Sequence, residues 1–108
     1  MSPRHREKGR RYRIGYAHSI RRHLDALTAR DRATVIDAME ERLSFQPAVE
    51  TRNRKRMEPN SLKAGFELRV GALRVYYDVE EEERVVSVLA VAWKGRDRIF
   101  IAGEEIVL

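Results

Sequence analysis

The stretch "FELRVGALRVYYDV", residues 66–79, constrains the fold more than any other. Phe66, Leu68 and Val70 alternate with Glu67 and Arg69; two residues later Leu73, Val75, Tyr77 and Val79 alternate with Arg74, Tyr76 and Asp78. A period of two repeated in consecutive runs means two half-buried strands. The connection, Gly71 then Ala72, has the length of a tight hairpin loop and puts glycine first, where a type II′ turn requires positive φ. The register follows: Val70 pairs with Leu73, Arg69 lies opposite Arg74, and Glu67 lies opposite Tyr76. One face of this hairpin is apolar and needs a cover, while the other is charged.

Two helices supply the cover. In "SIRRHLDAL", Ile20, Leu24 and Leu27 fall at spacings of four and three behind Ser19 as a cap. Thr28 restarts the pattern as a second N-cap with Asp31 in the first turn, and Val35, Ile36, Met39 and Leu43 form one apolar stripe until Pro47 stops it. With almost no loop between them, the two helices are expected to form a hairpin. Before them "YRIGY" alternates as a short strand over 12–16. After the acidic turn 80–84, "VVSVLAVAW" is apolar on both faces, as a strand in the middle of a sheet must be. A last run, Ile99–Ile101, reads as a short edge strand or a tail. The expected fold is therefore α+β, an N-terminal helical hairpin packed on a small, mainly antiparallel sheet. At 108 residues the chain forms one domain, over 12–108, behind a polar, basic and flexible arm at 1–11.

The formal net charge of +5 and the pI of about 10.0 favour an anionic partner, nucleic acid first among them. The absence of cysteine excludes a disulfide framework and a thiolate nucleophile, and the three histidines, His5, His18 and His23, are too few for a metal site to be expected. No cofactor is implied. No apolar run approaches the ~18 residues that would span a bilayer, so no membrane association is expected and a cytoplasmic location is.

The charge has a place. Arg69 opposite Arg74 is a like-charge pair, destabilising by roughly 0.2–1 kcal/mol unless a counter-charge relieves it. Glu67 or Asp78 can do so locally, which would make the pair an ordinary exposed ladder. But "ETRNRKRMEPN" brings Arg52, Arg54, Lys55 and Arg56 to the strand that carries Arg69. Guanidinium groups grip phosphates in a bidentate way, and a ring such as Tyr76 can stack on an unpaired base, so this face suits RNA. Cleaving RNA without a metal or histidine still requires a group to take the 2′-hydroxyl proton and others to stabilise charge on the phosphate. Arginine and lysine serve the second need; for the first, Glu67, Tyr76, Tyr77 and a lysine of depressed pKa all remain open. His18 and His23 read as packing residues of the first helix.

The ordered combination of "RHLDAL", a second helix ending "LSFQP", the basic "ETRNRKRMEPN", the hairpin and "VVSVLAVAWKG" resembles the RelE/ParE superfamily of bacterial type II toxins, from Tyr12 to about Glu105. That resemblance implies the same helical hairpin on an antiparallel sheet. It also implies a cognate antitoxin and one of two targets. RelE-like members are endoribonucleases that cleave mRNA on the ribosome, whereas ParE-like members inhibit DNA gyrase; a degenerate toxin that only binds its antitoxin is a further outcome. Arg74 matches the phosphate-contacting arginine of the RelE-like strand after the turn. Arg52, Arg54, Lys55 and Arg69 resemble basic residues of that active face in location, and the family's arginine after the central strand falls near Lys94 and Gly95, with Arg96 one step further. In place of the RelE-like C-terminal tyrosine or histidine this chain has "RIFIAGEEIVL", where Phe100 has no hydroxyl.

Overall fold

The computed structural model describes residues 11–108, so the arm expected at 1–11 lies, apart from Arg11, outside the described residues. The elements are β1 (Arg13–Tyr16), α1 (Ile20–Asp25), α2 (Ala29–Arg42), β2 (Arg54–Arg56), β3 (Phe66–Val70), β4 (Leu73–Glu80), β5 (Val85–Lys94), β6 (Ile99–Ile101) and β7 (Glu104–Ile106). The strands make one sheet in the order β2-β3-β4-β5-β6-β7, and β1 pairs in parallel with the first half of β5. Every other pairing is antiparallel. β5 is central, as its two apolar faces require.

The hairpin has the expected register, with Val70 opposite Leu73 and Arg69 opposite Arg74. Gly71 has φ +59° and Ala72 is not left-handed, which is the type II′ arrangement. Thr28 caps α2, its Oγ1 accepting from the Asp31 N–H at 3.1 Å, whereas the Ser19 side chain makes no capping bond to α1. Arg32 ties the start of α2 to the end of α1 by donating to the Leu24 and Leu27 carbonyls. The helices rest chiefly on the sheet, α1 on β5 and α2 on β3 and β4. Ile20, Val35, Met39 and Leu43 are buried there against Phe66, Leu68, Val75, Tyr77, Val86, Val88 and Val91.

The sheet has a second, smaller core on its other face. Ala64, Tyr76, Ala90, Ala92 and Ile101 are buried there, with Met57, Leu62, Ile106 and Leu108 packed around them. The segment after β2 and the C-terminal hairpin form this cover. The run at Ile99–Ile101 is accordingly neither edge nor tail: it pairs with β5 on one side and with β7 on the other, through a turn with positive φ at Ala102 and Gly103.

A β-bulge sets which residues reach which face. Tyr76 pairs with Ala90 but Tyr77 pairs with Val88, leaving Leu89 as the extra residue of β5. Val86 and Val88 face the helices before it, and Val91 does so after it. Just past the bulge the Val91 N–H donates to Nδ1 of His23, at 3.2 Å, so this buried histidine of α1 satisfies a strand donor.

Burial, and secondarily the charge of Arg22, lowers the His23 pKa from its ordinary 6.5. An accepting Nδ1 also requires the neutral ring. Stability from this contact is therefore fully present above pH 6.5 and is lost as pH falls below it toward the depressed folded value. Thermal unfolding should show a drop in Tm on acidification in that window that His23→Gln, which accepts but does not titrate, reduces. Equal pH slopes for the two proteins would contradict this.

Candidate nucleic-acid interface

Cross-strand pairing builds the charged face row by row. Lys55 lies opposite Glu67, and Glu67 opposite Tyr76; one row on, Arg69 lies opposite Arg74 and Arg74 opposite Ala92. Lys94 continues the alternation of Ala90 and Ala92, and its N–H donates to the Ala72 carbonyl beside Arg74. Lys55, Glu67, Arg69, Arg74 and Lys94 thus share one face, at the end of the sheet formed by the hairpin turn.

Glu67 is the hub of this group. Arg69 Nε donates to its Oε1 at 3.1 Å, and Arg74 Nε stands 3.9 Å from its Oε2. The local counter-charge is therefore Glu67, while Asp78 is exposed beside Gly65. One carboxylate against two guanidinium groups leaves a net positive charge. Arg74 is held by two further bonds, Nη1 donating to the Gly71 carbonyl at 2.7 Å and to the Leu73 carbonyl at 2.9 Å. Among the described residues its Nη2 takes no partner. Such a fixed guanidinium is ready to receive a phosphate oxygen with little loss of side-chain freedom.

The tyrosines separate by face. Tyr76, expected to be exposed and to stack on a base, is fully buried in the smaller core, because Ala64, Leu62 and the C-terminal strands cover that part of the sheet. Its ring offers no open face. Among the described residues its hydroxyl meets no hydrogen-bond geometry, although it stands near enough to Glu67 to feel the carboxylate. Burial, then that carboxylate, raises its pKa, with Arg74 and Arg69 opposing, so the hydroxyl stays protonated. Tyr77 lies under the helices, stacked on Phe66 at 5.4 Å, and donates to the Pro47 carbonyl at 2.8 Å. It is remote from the charged face. Tyr77→Phe should lower stability by about 1 kcal/mol, the worth of a hydrogen bond whose acceptor is left buried, and leave function unchanged. Denaturant unfolding with parallel activity measurements checks both; a loss of activity in a folded Tyr77→Phe protein would contradict the assignment.

The basic stretch at 52–56 also divides. It is a strand in part, not only a loop, so its side chains alternate. Arg54 points toward the helices, donating through Nη1 to the Arg42 carbonyl at the end of α2 and through Nε to the Val49 carbonyl. It closes a helix C-terminus. Arg56 lies over the Phe66 ring at 4.9 Å, on the same side of the sheet. Neither joins Arg69 and Arg74. Lys55 does, and Arg52 is exposed in the turn beside it. Lys94 Nζ donates to the Arg96 carbonyl, and Arg96 is exposed on the loop between β5 and β6. Among the described residues no cluster of histidine and carboxylate side chains is placed to hold a metal ion, and no helix is long and apolar enough to cross a membrane.

No protein-family profile and no curated protein sequence matches the chain. Solved structures do. The chain is similar to the RelBE2 toxin-antitoxin complex of Mycobacterium tuberculosis, with 27% identity and a TM-score of 0.67 over 80% of this chain and 94% of that one. The archaeal RelE-RelB complex of Pyrococcus horikoshii has the same fold, with 21% identity and a TM-score of 0.63 over 79% of this chain and 97% of that one. With the strand order and the opposed arginines already in view, these likenesses give the chain the fold of the RelE proteins in those complexes and support its being a RelE-superfamily toxin.

Proposed function

We propose that this chain is the toxin of a type II toxin-antitoxin pair and that it acts as an endoribonuclease on ribosome-bound mRNA. The observation that carries the reading is the Arg69–Glu67–Arg74 group: two arginines forced opposite each other, half neutralised, beside the exposed Lys55 and the half-buried Lys94. In this reading Arg74 holds the scissile phosphate and stabilises the charge that builds on it, with Arg69 and Lys94 at its sides. Glu67 takes the proton of the 2′-hydroxyl, which attacks the adjacent phosphorus and expels the 5′-oxygen. Tyr76 is too well protonated to be a base; it stands beside Glu67 as a buried neutral hydroxyl. Lys55, Arg52 and Arg96 steer the RNA and the ribosome.

The partners of this reading are a cognate antitoxin, the ribosome and mRNA. Both structural neighbours are complexes of a toxin with its antitoxin, which supports the first of these. An acidic, amphipathic antitoxin segment suits the net charge and the open apolar depression between Tyr16, Leu24, Ile36 and Met39. Induced expression should arrest growth, co-expression of the antitoxin should restore it, and purified protein should leave gyrase supercoiling untouched. Growth arrest with blocked supercoiling and intact mRNA would replace this reading with gyrase inhibition.

A further inference from the structure

Trp93 is the chain's one tryptophan, and it is 44% exposed at the end of the central strand. The bulge at Leu89 is the cause of that exposure: the shift puts Val91 and Trp93 on the helix side, where Trp93 pairs with Leu73 beyond the reach of the helices. The ring is nevertheless fixed. Phe100 lies across from it with centroids 5.5 Å apart, and a Cβ on Gly95 would stand only 3.1–3.2 Å from the indole, so glycine is what lets the loop close on it.

Around the two rings is an open depression of about 480 Å³, also lined by Arg96, Asp97 and Arg98. Lys94, Arg96 and Arg98 against Asp97 make this loop basic. A bond from Gly95 N–H to the Arg98 carbonyl and one from Lys94 Nζ to the Arg96 carbonyl hold it in shape. Its place matters as much. The Arg74 guanidinium folds back onto the Gly71 and Leu73 carbonyls, at the same end of the sheet where Leu73 pairs with Trp93. By register Trp93 lies on the helix side and Arg74 on the opposite face, so the two share an end of the sheet and not a face. A held, half-exposed aromatic ring flanked by guanidinium groups is what an unpaired nucleobase and its phosphate need.

We propose that Trp93, backed by Phe100 and flanked by Arg96 and Arg98, is a stacking platform for one base of single-stranded RNA that passes around the end of the sheet from the Arg74 face. It rests on the ribonuclease reading and deepens it, by making Trp93 a substrate-positioning residue. Being the sole tryptophan, Trp93 reports its own occupancy. Short single-stranded RNA added to the full chain at low salt should quench its emission saturably. An abasic oligomer of equal charge should bind without that quenching. Trp93→Ala should weaken RNA binding about 5- to 150-fold, the measured range for one stacked base, while Trp93→Phe recovers most of it.

RNA bound, by anisotropy of a labelled strand, with no change in Trp93 emission would overturn the platform and leave the ribonuclease reading standing. So would quenching by an acidic peptide but not by RNA, which would make the patch a protein-docking surface. No RNA binding by either measure would overturn it too, and mRNA cleavage on ribosomes then judges the ribonuclease reading separately.

Discussion

Arg74→Ala should lower mRNA cleavage by roughly 10²- to 10³-fold, the usual effect of removing one preorganised donor from developing negative charge. The loss should not come from unfolding. Removing Arg74 relieves its repulsion with Arg69, roughly 0.2–1 kcal/mol, but gives up its bonds to the Gly71 and Leu73 carbonyls, roughly 0.5–1.5 kcal/mol each, so the protein should stay folded with a loss of no more than about 3 kcal/mol. Activity lost while the fold is kept marks a group retained for function. Arg74→Lys should recover only a small part of the rate, because an ammonium lacks the planar fork that the two carbonyl contacts aim. Equal rates for the parent and Arg74→Ala would contradict the assignment, as would a fall in stability that accounts for the loss.

Glu67→Gln should have a divided effect. Cleavage at saturating RNA should fall by about 10²- to 10⁴-fold, the range for loss of a general base. Binding should tighten, because Arg69 and Arg74 lose their counter-charge and become available to phosphate. The salt dependence should steepen by about 0.7 in log–log slope for each additional phosphate that the freed arginines neutralise. Single-turnover cleavage and RNA binding across a salt series separate the two effects. Tighter binding with undiminished cleavage would make Glu67 a neutralising residue only and send the search for the base to Lys55 or Lys94.

The fold was legible where one face of an element is apolar and the other is not. The hairpin at 66–79 announced its strands, its turn and its register, because any slip would turn Leu68, Val75 and Tyr77 outward. The α2 stripe and the Thr28 cap were equally plain. The bulge in β5 was invisible for the opposite reason: "VVSVLAVAW" is apolar on both faces, so moving Leu89 out of register changes no pattern. With the bulge hidden, neither the exposure of Trp93 nor the donor that His23 satisfies could be foreseen. β2 and β7 carry mainly charged side chains over three residues each, and pairing with a neighbour, not periodicity, makes them strands.

The site divides along the same line. Arg69, Glu67 and Arg74 came together in the sequence because hairpin register is a local property. Tyr76 was misplaced because its cover comes from Ala64, Leu62, Ile101 and Leu108, whose segments show no period that points at it. Arg54 and Arg56 were misplaced because a stretch read as a loop has no faces, whereas a strand gives alternate residues to opposite sides.

The most direct test is to add purified protein to a bacterial translation mixture and map mRNA ends by primer extension, with and without ribosomes, for the parent chain and Arg74→Ala. If Arg74 grips the scissile phosphate of ribosome-bound mRNA, new ends will appear that require ribosomes and disappear in the variant. Intact mRNA, or the same ends with both proteins, would contradict that role.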